Sequence, residues 1–139
     1  MKITLLSLLL AVSLTGCGRS EREFSKLGSV TSITVSIHAR DGSQYLSKIS
    51  DQRELDQIVA FVNVNRANWT KPWYGIPVPS VEALLFEGES LKCSFGMGKN
   101  FFETQRGGDF FSKTASPTDV RDFLSLLGVD NETLRKLTR

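Results

Sequence analysis

Four short apolar runs, "SVEALLFEG", "SLKCSFGMG", "NFFETQR" and "DFFSKTA", follow one another between residues 80 and 115, parted only by Gly88-Glu89, Gly98-Lys99-Asn100 and Gly107-Gly108. This spacing constrains the fold more than any other feature of the chain. Connections of two or three residues join antiparallel neighbours, whereas parallel strands need a crossover of a dozen residues or more. The second run is the clearest strand, with Leu91, Cys93, Phe95 and Met97 on one face and Lys92, Ser94, Gly96 and Gly98 on the other.

Upstream, "VTSITVSIHARDGSQYLSKIS" carries the same period, Ile33, Val35 and Ile37 alternating with Ser32, Thr34, Ser36 and His38. A two-residue turn at Asp41-Gly42 would set Ile37 opposite Leu46 and Val35 opposite Lys48. A three-residue loop, Arg40-Asp41-Gly42 with Gly42 left-handed, sets Ile37 against Tyr45 and Ile33 against Ile49 instead. A one-residue slip moves a whole apolar set off the buried face, so the three-residue loop is expected, with His38 on the polar side near Gln44.

Two helices flank the meander. Asp51 can cap the first, Glu54 stands in the capping-box position, and Leu55, Ile58, Val59 and Val62 form one stripe that runs out near Asn65. The second begins at Ser116 with Pro117 at its first position and Asp119 three residues past the cap; it buries Val120, Phe123, Leu124 and Leu127 and stops at Gly128. "DNETLRKLTR" adds at most one polar turn. The order ββα-ββββα, with no strand-helix-strand alternation, predicts an α+β fold: an antiparallel sheet of five to six strands with both helices on one face and the other face wet or open to a partner. Residues 30–139 suffice for a single domain with one core.

The N-terminus is of another kind. Residues 3–14 are apolar but would span only ~18 Å as a helix against ~30 Å of bilayer hydrocarbon. Preceded by Met1 and Lys2 and followed by small residues, they have the layout of a secretory signal, to be set aside from the fold. The stretch ends in Leu14-Thr15-Gly16-Cys17, which resembles the lipobox of bacterial lipoproteins over residues 1–18. The resemblance implies cleavage of residues 1–16 by a type II signal peptidase, a diacylglyceryl group on the Cys17 thiol and acylation of the new amino terminus, which together anchor the protein in the membrane. Gly18, where an aspartate would favour inner-membrane retention, implies the outer membrane facing the periplasm in a Gram-negative source. Residues 17–29 then read as lipidated N-terminus and flexible tether, with a reach of roughly 40 Å. Of the two cysteines, Cys93 is left without a partner and lies in the apolar set of its strand, so it is expected to be a buried, inert thiol.

Charge narrows the partners. Without Lys2, 16 basic residues face 15 acidic ones, leaving no field to gather nucleic acid. The chemistry for catalysis is thin: His38 is the only histidine, no paired metal-ligand spacing occurs, and no Gly-x-Ser-x-Gly elbow is present. "GMGKN" lacks the full spacing of a phosphate loop and leads into a strand, so it reads as a hairpin turn. No catalytic set, cofactor or metal is expected.

The stretch most suggestive of contact is "NWTKPWYGIPVP", where Trp69, Trp73 and Tyr74 sit among prolines, with Arg66 and Lys71 to supply polar contacts. Aromatics on a stiff loop offer contact area at low entropic cost. They could anchor a protein, stack on a sugar, or fold back as a lid over the end of the core. The functional expectation is a non-catalytic envelope lipoprotein that binds a protein partner; a glycan- or lipid-binding lipoprotein is the alternative, and a small hydrolase using His38 a third.

Overall fold

The computed structural model describes residues 20–39, 41–42, 44–130, 132 and 134–135. The expected signal peptide, Cys17 and Gly18 lie outside these residues. Eight elements follow in the order expected: β1 (Ser32–His38), β2 (Gln44–Ile49), α1 (Gln52–Val64), β3 (Val81–Glu87), β4 (Ser90–Met97), β5 (Phe101–Arg106), β6 (Asp109–Thr114) and α2 (Pro117–Leu126). The strands form one antiparallel sheet in the order β2-β1-β3-β4-β5-β6.

Local chemistry sets the element ends. Asp51 accepts the Glu54 amide at the start of α1. Ser116 and Asp119 form a reciprocal capping box on α2, and the hydrogen bonds donated by the Ser116 hydroxyl and amide hold the Asp119 carboxyl below its usual range. Gly128, left-handed at φ 68°, ends that helix. The first hairpin has the register of the three-residue loop, Ile33 opposite Ile49, Ile37 opposite Tyr45 and His38 opposite Gln44, with Gly42 at φ 84°.

The core lies between one sheet face and both helices. Ile33, Val35, Ile37, Val81, Ala83, Leu85, Cys93, Phe95, Met97, Phe102 and Phe111 meet Leu55, Ile58, Val62, Phe123 and Leu124 there. Its centre is aromatic: Phe95 stands 5.0 Å from both Phe102 and Phe123, and Phe61 lies 5.3 Å from Phe123. Cys93 is buried among these groups, and burial pushes its thiol pKa up, with Arg106 opposing.

Three expectations need correction. Leu91 does not share the core face, because the register slips by one residue between Leu85 and Phe86. The bulge leaves Lys92 unmatched and sets Leu91 opposite Phe86, where it is 48 % exposed. Strand β2 is not buried by its alternation either. It is the sheet edge, and Tyr45 and Leu46 are exposed.

The flexible tether, expected over residues 17–29, is docked from Arg22 onward. Arg22 and Trp69 exchange backbone hydrogen bonds, the Phe24 amide donates to Arg66, and the Asn63 side chain bonds both backbone groups of Leu27. Phe24 packs edge-on against Phe111 at 5.0 Å with the Arg106 guanidinium over its ring. Two apolar residues, Phe24 and Leu27, pack against the core and convert tether into domain.

Trp69 is the other side chain whose burial the sequence understated. It is 1 % exposed, edge-on to Phe95 at 5.7 Å, and its indole N–H donates to the Asn65 carbonyl at 2.8 Å. Truncating such a residue removes a large packed surface and leaves a cavity. Trp69→Ala is therefore expected to lower unfolding stability by about 3–5 kcal/mol, while exposed Trp73→Ala changes it by no more than ~0.5 kcal/mol; urea titrations of the two variants check both values.

Candidate functional site

Trp69 is also where the proline-rich loop begins. Its neighbour Thr70 exchanges backbone hydrogen bonds with Ser112 on β6, so residues 69–70 lie beside the outer strand. The next strand in sequence, β3, sits three places inward, past β5 and β4. Residues 71–79 make that crossing over the face the helices leave open. Pro72 and Tyr74 line a cleft together with Phe101 and Ser112, and Pro79 rests on Gly96. The open face is thus partly strapped, and Ser36, Ser94, Glu103 and Ser112 on it are buried.

The five loop residues expected to act together divide. Trp69 belongs to the core, so it is removed from the candidate surface. Arg66 turns back to the N-terminal segment, pairing with Glu23 at 2.7 Å and reaching the Phe24 carbonyl. Lys71 pairs with Asp109 at 2.8 Å, which holds the Asp109 carboxyl below its usual range. Trp73 and Tyr74 do project outward, 76 % and 63 % exposed, with their rings edge-to-face at 5.7 Å. Ile76 and Val78, which sequence reasoning passed over, extend the same surface at 56 % and 79 % exposure. The interleaved Pro72, Pro77 and Pro79 are half-buried. Prolines inward and apolar side chains outward make "WYGIPV" a displayed strip, and Gly75, at φ 113°, supplies the turn that a side chain would strain.

Beneath the strap lies a polar row that the sequence did not reveal. Cross-strand pairing aligns Leu46, Ser36, Glu82, Gly96, Glu103 and Ser112 from β2 to β6. Gly96 has no side chain, so Glu82 and Glu103 face each other across an empty position. A Cβ at Gly96 would stand 2.8 Å from the Pro79 Cβ and 2.9 Å from the Glu103 Cγ. The glycine is required by this close approach. Its place in mid-strand was the readable sign of a crowded backbone, but the sequence does not say what crowds it.

Glu103 is 3 % exposed, and its Oε2 has no hydrogen-bond partner. Burial, aided by the Glu82 charge, pushes its pKa up to about 7. At the outer end of the row the His38 Nε2 lies 3.4 Å from the Ser36 Oγ and 3.9 Å from the Glu82 Oε2. Ser36 also accepts a hydrogen bond from the Gln44 amide. Among the described residues both contacts of the imidazole fall on one ring nitrogen and Ser36 is buried, whereas a serine triad uses the two nitrogens for two partners and opens its hydroxyl to substrate. Among the described residues, no three His, Cys, Asp or Glu side chains group as metal ligands.

The raised Glu103 pKa has a signed consequence. Between the ordinary carboxyl value, ~4.5, and about 7 the native state keeps a proton that the unfolded chain has released, so stability falls as pH rises through that window. Melting temperatures across this window should decline in the wild type more than in Glu103→Gln, whose amide does not titrate; parallel curves would remove the assignment. Compared with known proteins, the chain matches no family model, no curated protein and no solved structure.

Proposed function

We propose that this protein is a lipid-anchored, periplasm-facing module without catalytic activity that binds another envelope protein through residues 73–78. The observation that carries the reading is the displayed strip: four large apolar side chains within six residues, on a proline-braced loop whose ends are tied to β6 and, through the Ser80 amide, to the Met97 carbonyl. Exposed apolar clusters on a rigid support are typical of protein contact sites, and aromatic anchors carry most of the binding energy in such contacts. The lipobox resemblance at residues 14–17 supports the anchor and, with Gly18, the outer membrane as its place in a Gram-negative source.

One observation favours a second reading. A cleft of about 230 Å³ opens between Pro72, Tyr74 and Phe101, with Asn100 and Thr114 on its rim. Aromatic rings beside amide and hydroxyl groups suit a sugar ring, so glycan binding is the alternative function. Retention on purified cell wall in a sedimentation assay, lost on Tyr74→Ala, would favour it over the protein partner.

Two measurements test the leading reading. Replacing both Trp73 and Tyr74 by alanine should reduce recovery of a crosslinked envelope partner by roughly 30-fold or more, the equivalent of ~2 kcal/mol at an interface anchor, and undiminished recovery would remove the loop from the proposal. Cys17→Ser should abolish incorporation of labelled palmitate and release the protein from the membrane fraction; label retained on the variant would refute the anchor.

A further inference from the structure

The strap rests on a carboxyl pair that has no evident structural purpose. Glu82 and Glu103 stand two strands apart with only Gly96 between them. The residue pressed against that gap is Pro79, which has no N–H to offer. Glu103 therefore keeps an unpartnered oxygen at 3 % exposure under a cover that supplies no donor. Among the described residues the groups that face it are the Glu82 carboxylate from β3, with His38 of β1 behind it at 3.9 Å, the hydroxyl-bearing Ser112 opposite on β6, Gly96 on β4, and Pro79 from above. The only charged side chain placed next to Glu103 in the row is of its own sign.

A neutral carboxyl tolerates this burial, while a carboxylate beside a second carboxylate, with one oxygen unpartnered, does not. The strands on either side are fixed by ladder hydrogen bonds, so the element free to yield is the loop. We propose that the Glu82–Glu103 pair governs the seating of residues 71–79: the strap lies on Gly96 while the pair carries a single negative charge, and lifts to admit water when both carboxyls are ionised. Because Trp73, Tyr74, Ile76 and Val78 ride on this strap, the pair would regulate how the contact strip is presented. That last step rests on the strip being the docking element; the movement itself does not.

The movement is read without any partner. The full chain, purified in detergent and labelled with 5-fluorotryptophan, has two fluorine resonances, Trp73 being the one missing from Trp73→Phe. The Trp73 resonance should shift between pH 5 and 9 with a midpoint near 7, while that of core Trp69 stays nearly fixed. Glu103→Gln should hold the Trp73 resonance at its low-pH position throughout. Glu82→Gln should move the midpoint to lower pH, since it removes the neighbouring charge. His38→Gln should keep the transition, which separates the carboxyl from the imidazole. A pH-independent Trp73 resonance in the wild type, a transition that survives Glu103→Gln, or one that disappears in His38→Gln would overturn the proposal. If Glu103→Gln does not fold, as seen from the Trp69 resonance, the Glu82→Gln midpoint decides, and an unmoved midpoint overturns it. A seated-to-lifted transition with no partner captured by crosslinking would leave the device standing and refute the docking function alone.

Discussion

The seat of Trp69 is the constraint on which the rest of the molecule depends. Its ring fills the core beside Phe95, its N–H donates to the Asn65 carbonyl at the end of α1, and its backbone exchanges hydrogen bonds with Arg22. Lys113 completes the knot by donating its ammonium to the Asn65 and Ala67 carbonyls at 3.2 Å each, with the charge 5.4 Å from the Trp69 ring; burial there lowers the Lys113 pKa. A cation at a helix C-terminus is favoured by the helix dipole, and here it also ties α1 to β6. One side chain thus fixes the end of a helix, the docking of the N-terminal segment and the place from which the strap must start.

The strap's path follows from that start. With Thr70 held beside β6 and β3 lying inward of β4, the chain has to cross the sheet, and the helices already occupy one face. The crossing therefore takes place over the open face. Its prolines cover without offering hydrogen bonds, its larger side chains remain outside, and the row beneath is left to satisfy itself. Ser36, Gln44 and His38 do so among themselves, and Ser94 serves the Gln105 amide. Glu103 is the member that does not.

Strand number, hairpin register and helix caps were legible in the sequence because each depends on near neighbours: period-two alternation around Ile33 and Phe95, Gly42 in its turn, Ser116 with Asp119 at its cap. The candidate site was legible only in part. "NWTKPWYG" places two tryptophans four residues apart among the same prolines, yet one is core and the other solvent-facing. What separates them is the pairing of residues 69–70 with Arg22 and Ser112, partners 42 or more positions away in the chain. Leu91 was misplaced by a bulge that shows only once the opposite strand is in place. Glu103 was hidden for a similar reason, since "FFETQR" has four polar residues in a row and nothing in it marks which of them is buried. Pro79, which closes over the neighbouring Gly96, arrives from another part of the chain.

The docked N-terminal segment would change the geometry of the proposed attachment. Without docking, the chain between Cys17 and Val30 would let the domain roam roughly 40 Å from a lipid on Cys17. Because Arg22 is already held by Trp69, five residue steps remain, with a reach of at most ~18 Å. The volume accessible to the domain scales as the cube of that reach, so it shrinks by about ten-fold, and the effective concentration of the domain toward any partner at the same membrane surface rises by the same factor. With the lipid anchor proposed above, Phe24 and Leu27 act as a foreshortened stem that trades search radius for residence near the bilayer.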